Sequence, residues 1–307
     1  MNKLIAKIKQ LNCPIAVGLD SSLEFVPNFL KEQAISAFGN TATAAANAIL
    51  EFNKKIINEI FDLVPAVKIQ CAYYELFGGA GVSALQETIK YAKSKGLFTI
   101  VDGKRNDIGS TMQAYANAYL GSTEILNGEH VKPFDCDALT INPYLGSDGI
   151  LPVVEVCKKF DKCAFVLVKT SNPGSGELQN LTLTTNELVY EKVAELCEQV
   201  FKPELSSCGY SKIGAVVGAT HPNELKKLRS LLPNTFFLVP GFGAQGATAA
   251  DVKFAFDNNK TGAIINSSRA ILGAAKKECC PEADFAKAAR RAVQAMKNSI
   301  NEELAKA

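Results

Sequence analysis

Short apolar runs, each too short for a helix and most of them closed by Gly, Asp, Asn or Pro, recur along the chain with helix-length segments between them. Eight are legible: PIAVGLD ending at Asp20, VPAVKIQ ending at Gln70, FTIVDGK through Asp102, DALTINPY through Asn142, AFVLVKT ending at Thr170, IGAVVGA from Ile213, TFFLVPG from Thr235 and GAIINSS from Gly262. The segments ATAAANAILEFNKKIINEI, VSALQETIKYAKSKG and NELVYEKVAELCEQVF repeat their apolar residues every three or four positions, the spacing of an amphipathic helix. Eight strand and helix units in succession predict an α/β chain folded as a parallel (β/α)8, or TIM, barrel rather than an open sheet.

Two connections exceed the others: residues 21–63, between the first and second strands, and residues 171–212, between the fifth and sixth. Neither would persist as a bare loop, so both are expected to carry extra helices. The second opens SNPGSGELQNLTLTTNE, whose glycines, proline and hydroxyls suit a segment that closes over a ligand. No low-complexity linker interrupts the alternation, so residues 1–307 are read as a single barrel domain.

Composition acts mainly by exclusion. With 33 basic residues against 31 acidic and no polybasic block, neither nucleic acid nor an anionic membrane is expected as a partner. No apolar stretch approaches the roughly 20 residues of a membrane span. The nine cysteines include no C-x-x-C pair and have no histidine cluster near them, which argues against a disulfide framework and a structural zinc. The N-terminal MNKLIAKIKQ lacks the unbroken apolar core of a signal peptide, and a cytoplasmic location is expected.

In a barrel of this kind the ligand lies at the C-terminal strand ends. The first strand ends in Asp20, the second offers Lys68, the third offers Asp102 and Lys104, and the loop after it Asp107. Alternation along a strand points Asp102 and Lys104 the same way, inward, and Gly103 toward the helices. A lysine in VPAVKIQ is costly to bury without a carboxylate; Asp102 is the expected partner, with Lys104 on its other side and Asp107 beyond. Such alternation keeps both lysines cationic, a state suited to proton donation and unsuited to Schiff-base chemistry. After the seventh strand, VPGFGAQGA has three glycines that let backbone amides approach an anion, with Gln245 as an added donor; after the eighth, NSSRA opens a helix with Arg269 in its first turn or just before it. Those two loops are the usual phosphate site of such barrels, so a phosphorylated substrate is expected.

Lys68, DGKRNDIGST, VKTSNPGS, VPGFGAQG and NSSRAI, in this order and covering nearly the whole chain, resemble the orotidine 5'-phosphate decarboxylase family, in its longer form with an extended segment between the first two strands. The resemblance implies a homodimer with two sites at the subunit interface, acting without metal or organic cofactor. It implies a charge network of Lys68, Asp102, Lys104 and Asp107 of the partner subunit. Asp20 would bind ribose hydroxyls with Lys68, and Thr111 of the partner subunit would reach the ribose. Thr170 and Ser171 would recognise the pyrimidine, while Gln245 and Arg269 would hold the phosphate, helped by backbone amides around Gly243 and Ser268. The implied reaction converts orotidine 5'-phosphate to uridine 5'-phosphate (UMP) and CO2 in de novo pyrimidine biosynthesis, through a C6 carbanion protonated by Lys104. A fused orotate phosphoribosyltransferase is not expected, since the barrel uses nearly all the residues; association with a separate one stays open.

Two other readings remain at this point. A metal-dependent sugar-phosphate decarboxylase or aldolase of the same superfamily shares the D-x-K-x-x-D element, but would need a carboxylate on the second strand where Lys68 would repel the cation. A non-catalytic nucleotide-binding barrel would need the phosphate loops but not the lysine and aspartate alternation. Elsewhere, His130 and His221 are isolated, and His221 before Pro222 reads as a helix start. Lys226, Lys227 and Arg229 read as the solvated face of a helix, Cys279 and Cys280 as surface or packing residues, and Tyr144 as lining the site or supporting the core. Gln70 has no assigned role.

Overall fold

The computed structural model describes residues 1–201 and 205–306; residues 202–204, inside the second long connection, and residue 307 lie outside the described residues. Each of the eight apolar runs forms a strand: β1 (Ile15–Leu19), β2 (Ala66–Gln70), β3 (Phe98–Arg105), β4 (Ala138–Ile141), β5 (Cys163–Lys169), β6 (Ile213–Val217), β7 (Phe237–Pro240) and β8 (Ala263–Ser267). They pair in parallel and in sequence order, and β8 returns to β1 to close the barrel.

Alternation sorts the strand residues into two apolar layers. Val17, Leu19, Val67, Ile69 and Val101 face the helices, whereas Ala16, Ala66, Ile100, Ala138, Phe165 and Leu238 fill the barrel. That parity carries Lys68 and Asp102 inward, each two residues beyond a buried apolar residue of its own strand, and the register sets Gly18 beside Lys68 and Gln70 beside Asp102. The other end of the barrel is plugged by the helix Asn2–Leu11, whose Leu4, Ile5 and Ile8 recur at helical spacing and join the inner cluster. Sequence patterning did not reveal this helix, nor the two-residue hairpin strands Thr123–Glu124 and His130–Val131, which are too short for any periodicity.

The long connections hold the extra helices expected of them. Residues 21–63 fold as Asn28–Phe38 and Ala42–Ile60. The second of these starts where Thr41 accepts the Ala44 amide through its side chain, and it buries Ile49, Phe52, Ile56 and Ile60. The described part of 171–212 contains the short helices Pro173–Ser175 and Gly176–Gln179, followed by Val189–Phe201.

One expectation about the surface fails. Lys226 and Lys227 are exposed on the helix Pro222–Leu231, but Arg229 turns inward. Its guanidinium donates to the carbonyls of Ala255, Gly262, Thr235 and Leu232 and stacks on Phe237 at 4.0 Å. Burial draws its pKa down to about 10. Charge alone could not separate it from its neighbours, because what draws it inward is backbone: the carbonyls of Leu232 and Thr235 where its own helix ends, and those of the distant Ala255 and Gly262.

Gly214 on β6 shows how tightly the inner layer is filled: a Cβ there would sit 2.4 Å from the Phe236 carbonyl oxygen and 2.6 Å from Phe165 Cδ1. Gly214→Ala is therefore expected to cost about 1–3 kcal/mol through overpacking, read as a lower urea midpoint by circular dichroism; an unchanged midpoint would mean that the layer has room to spare.

Candidate active site

A cleft of about 420 Å³ opens at the C-terminal strand ends, and Asp102 at its base organises the charges around it. Oδ2 accepts hydrogen bonds from Lys68 Nζ at 2.9 Å and Gln70 Nε2 at 3.0 Å, while Oδ1 accepts from Lys104 Nζ at 2.7 Å and Thr140 Oγ1 at 2.8 Å. Lys68 Nζ also reaches Asp20 Oδ1 at 3.1 Å. The Lys68 side chain is only 5% exposed and that of Asp102 10%, so neither charge could stand without the other. Burial opposes both charged forms, but Lys68 and then Lys104 outweigh it and hold the Asp102 carboxyl well below its ordinary range. Asp102 and Asp20 likewise overcome burial to hold the Lys68 ammonium above its ordinary value.

Lys104 reaches Asp102 by a different route from plain strand alternation. Its backbone is left-handed, with φ 47°, and the pairing of β3 with β4 shifts register between Val101 and Arg105. The Lys104 amide donates to Thr140 Oγ1 at 2.9 Å on one side of this kink. On the other, Arg105 donates to the Gly103 carbonyl at 3.1 Å and to Tyr119 Oη at 3.0 Å, pairs with Glu75, and lies over the rings of Tyr115 and Tyr119. Gly103 does face the helix layer, where a Cβ would meet Leu139.

Gln245 and Arg269, which follow β7 and β8, also line the cleft and are both exposed; Ser268 and the apolar Leu167, Val216 and Leu238 line it too. Arg269 opens its helix as expected and has no hydrogen-bond or ion-pair partner among the described residues, so its charge is available to an anion. The glycines 241, 243 and 246 all have positive φ. Gly243 departs from expectation: its amide donates to the Ala247 carbonyl at 2.9 Å, so it closes the turn rather than offering an N–H to a phosphate. Thr170 and Ser171 line the cleft, Thr170 through a hydroxyl bonded to Asn172 and Gln179.

Besides Gly243, two expected residues lie outside this cleft. Asp107 turns its carboxylate back to its own Ile108 amide at 2.8 Å, and Thr111 is exposed on the helix Gly109–Tyr119. Within one chain Asp107 therefore does not extend the network past Lys104, whose side chain is 46% exposed. Tyr144 neither lines the cleft nor supports the core, being 78% exposed beside the exposed Leu145. His221 caps the helix that Pro222 begins, as its position predicts. Sequence alone missed Thr140, Asn172 and Asn266 and left Gln70 without a role; the inward parity of Thr140 with Ala138 in DALTINPY, and of Asn266 with Ile264 in GAIINSS, was the available signal. Among the described residues no group of three His, Cys, Asp or Glu stands close enough to hold a metal ion, and no helix is long and apolar enough to cross a membrane.

Fold and cleft together define a (β/α)8 barrel with the polar apparatus of an enzyme for a small anionic substrate. The family model described as "Orotidine 5'-phosphate decarboxylase / HUMPS family" matches residues 15–279, and the chain belongs to that family. The orotidine 5'-phosphate decarboxylase of Rhodopirellula baltica is 45% identical over 99% of this chain and 97% of its own length, and that of Caldicellulosiruptor saccharolyticus is 42% identical over 98% and 97%. The solved structure of Leishmania donovani OMP decarboxylase superposes with a TM-score of 0.71 at 30% identity, covering 97% of this chain and 98% of that one.

The charges carry a pH signature. A carboxyl held below its unfolded value contributes stability above about pH 4, which is lost as pH falls from there toward the native pKa. Asp102→Asn is expected to remove that part of the acid limb and to cost about 3 kcal/mol, because Lys68 stays buried with Asp20 as its one remaining carboxylate. Urea unfolding from pH 3 to pH 7 measures both effects; parallel curves for the two proteins would refute the assignment.

Proposed function

We propose that this chain is an orotidine 5'-phosphate decarboxylase, releasing UMP and CO2 without metal or organic cofactor. The observation that carries the reading is the buried Asp102 carboxylate between Lys68 and Lys104, facing a cleft that Gln245 and an unpaired Arg269 also line. The phosphate binds at Gln245, Arg269 and Ser268, and the ribose hydroxyls meet Asp20 and Lys68. Thr170 and Ser171 meet the pyrimidine. C6 then lies over Lys104 with its carboxylate toward Asp102.

When the bond from C6 to the carboxylate breaks, CO2 leaves and the electron pair stays on C6. The Lys104 ammonium, fixed by Asp102 before substrate arrives, stabilises that charge with little reorganisation and passes a proton from Nζ to C6. Contacts to the distant phosphate hold the substrate against the charged centre and so contribute to rate as well as affinity. The metal-dependent alternative is disfavoured by the same geometry, because Lys68 Nζ stands between Asp20 and Asp102 where a cation would bind.

The protein works as a homodimer, with Asp107 and Thr111 of the partner subunit completing each site. Ile108, Tyr144, Leu145 and Leu151 are exposed on the loops after β3 and β4 and on the helix Ser147–Phe160, an apolar face on the side of the barrel that carries Asp107. Gly149 lets these loops close together: a Cβ there would lie 2.5 Å from Asn106 Oδ1. All nine cysteines are free and six are buried, which supports a reducing, cytoplasmic setting.

Loss of orotate-type ultraviolet absorbance from orotidine 5'-phosphate in excess chelator tests the activity directly; no loss with folded, UMP-binding protein would refute it. Lys104→Ala is expected to lower turnover by at least about 10³-fold while UMP binding remains. Shared sites make a separate prediction: a 1:1 mixture of inactive Lys104→Ala and Asp107→Ala chains should regain about a quarter of wild-type activity, since half the dimers are mixed and each of those has one intact site. A mixture that stays inactive after subunit exchange would place Asp107 outside the site.

A further inference from the structure

Lys169, at the end of β5, is the largest charged side chain among the fully enclosed described residues, with no measurable exposure, and it has no carboxylate within ion-pair distance among them. The strand explains where it goes. Phe165 and Leu167 face into the barrel, and strict alternation would send Lys169 there too. The pairing of β5 with β6 is irregular between Leu167 and Lys169, however, and Lys169 is not among the residues that line the cleft. Its ammonium instead lies under the loop that follows, donating to Ser175 Oγ at 3.2 Å and Asn180 Oδ1 at 2.9 Å and lying 5.7 Å from the centre of the Tyr190 ring. Ser175 Oγ in turn stands 3.3 Å from His221 Nε2.

Ser175 ends the first of the short helices that fold back over the strand end, and Asn180 stands at the C-cap of the second. Between them and Lys169 lie Thr170, Ser171 and Asn172, all facing the cleft. The same fold-back is fastened by Gln179, which accepts the Thr170 amide at 3.0 Å and donates to the Thr170 hydroxyl at 2.7 Å. Thr220 Oγ1 donates to the Ser171 carbonyl at 3.1 Å. An ammonium away from water keeps its donors satisfied where it can, so the cost of releasing Ser175 and Asn180 falls on Lys169.

We propose that Lys169 is a positioning residue for substrate recognition: by holding Ser175 and Asn180 from beneath, it fixes the Thr170–Ser171–Asn172 segment in the geometry that receives the pyrimidine. It touches neither substrate nor the reacting atoms. The proposal rests on the reading of Thr170 and Ser171 as the pyrimidine contacts.

The test uses the full chain with Lys169→Met and Lys169→Arg, titrated calorimetrically with UMP and with ribose 5-phosphate, which lacks the base. Lys169→Met is expected to weaken UMP and to raise KM for orotidine 5'-phosphate by about tenfold or more, the size expected for lost hydrogen bonds to a charge. It should leave ribose 5-phosphate affinity unchanged and kcat within about threefold. Lys169→Arg should recover part of the loss, because a guanidinium can still donate to both acceptors. Equal weakening of UMP and ribose 5-phosphate, or no weakening of either, would overturn the proposal. If Lys169→Met fails to fold, Asn180→Leu and Ser175→Ala remove the acceptors one at a time and must give the same separation of ligands. Thr170→Val, run in parallel, tests the underlying reading: if it leaves UMP binding intact that reading falls, and the role of Lys169 then survives only if its own variant still separates the two ligands.

Discussion

The site depends on one constraint: a carboxylate and an ammonium that are each nearly inaccessible to water must satisfy one another. Asp102 and Lys68 meet that condition at 2.9 Å, and Asp102 then uses its remaining lone pairs on Gln70, Lys104 and Thr140. A buried ion pair is weak evidence of stability in itself, since desolvation offsets much of the attraction. Its consequence here is positional. With four donors on one carboxylate, Lys68 cannot move without leaving a buried charge unpaired, and the half-exposed Lys104 is aimed by its bond to Asp102.

The barrel and its one irregular strand divide that work. Regular alternation is enough to bring Lys68 and Asp102 inward on neighbouring strands. It is not enough for Lys104, which needs a left-handed residue and a register shift to turn its amine toward Asp102. Of the groups that hold this kink, Arg105 belongs to DGKRNDIGST, but Thr140 inside and Glu75 and Tyr119 outside lie elsewhere in the chain. A second irregularity, on β5, has the opposite effect and sends a lysine away from the cleft. Both occur at the rim where loops leave the barrel, the place where breaking the ladder changes the aim of a side chain at small cost to the core.

Polar groups therefore divide by exposure. Lys68 and Asp102 are enclosed and held by bonds within the chain, whereas Lys104, Arg269 and Gln245 are exposed. Apolar Leu167, Val216 and Leu238 line the same cleft. The face bearing Asp107, with its exposed aliphatic and tyrosine side chains, remains open in a single chain.

Strand order, barrel closure and the inward direction of Lys68 and Asp102 were legible because they follow from period-two alternation and from the cost of burying a lone lysine, both local properties of the chain. The long helix at Ala42–Ile60 was legible for the same reason, its apolar positions recurring within a single element. What the amino acids could not reveal depends on how the folded backbone places donors and acceptors, some of them near in the chain and some far. Arg229 read as a surface charge until the carbonyls of Leu232 and Thr235 just after it and of the distant Ala255 and Gly262 closed around it, Gln70 acquired a role only when β3 placed Asp102 beside it, and Gly243 lost its free amide to Ala247. Sequence determined which residues had to be enclosed; only the tertiary structure decided which hydrogen bonds enclosed them, because a donor's partner is set by distance in space and not along the chain.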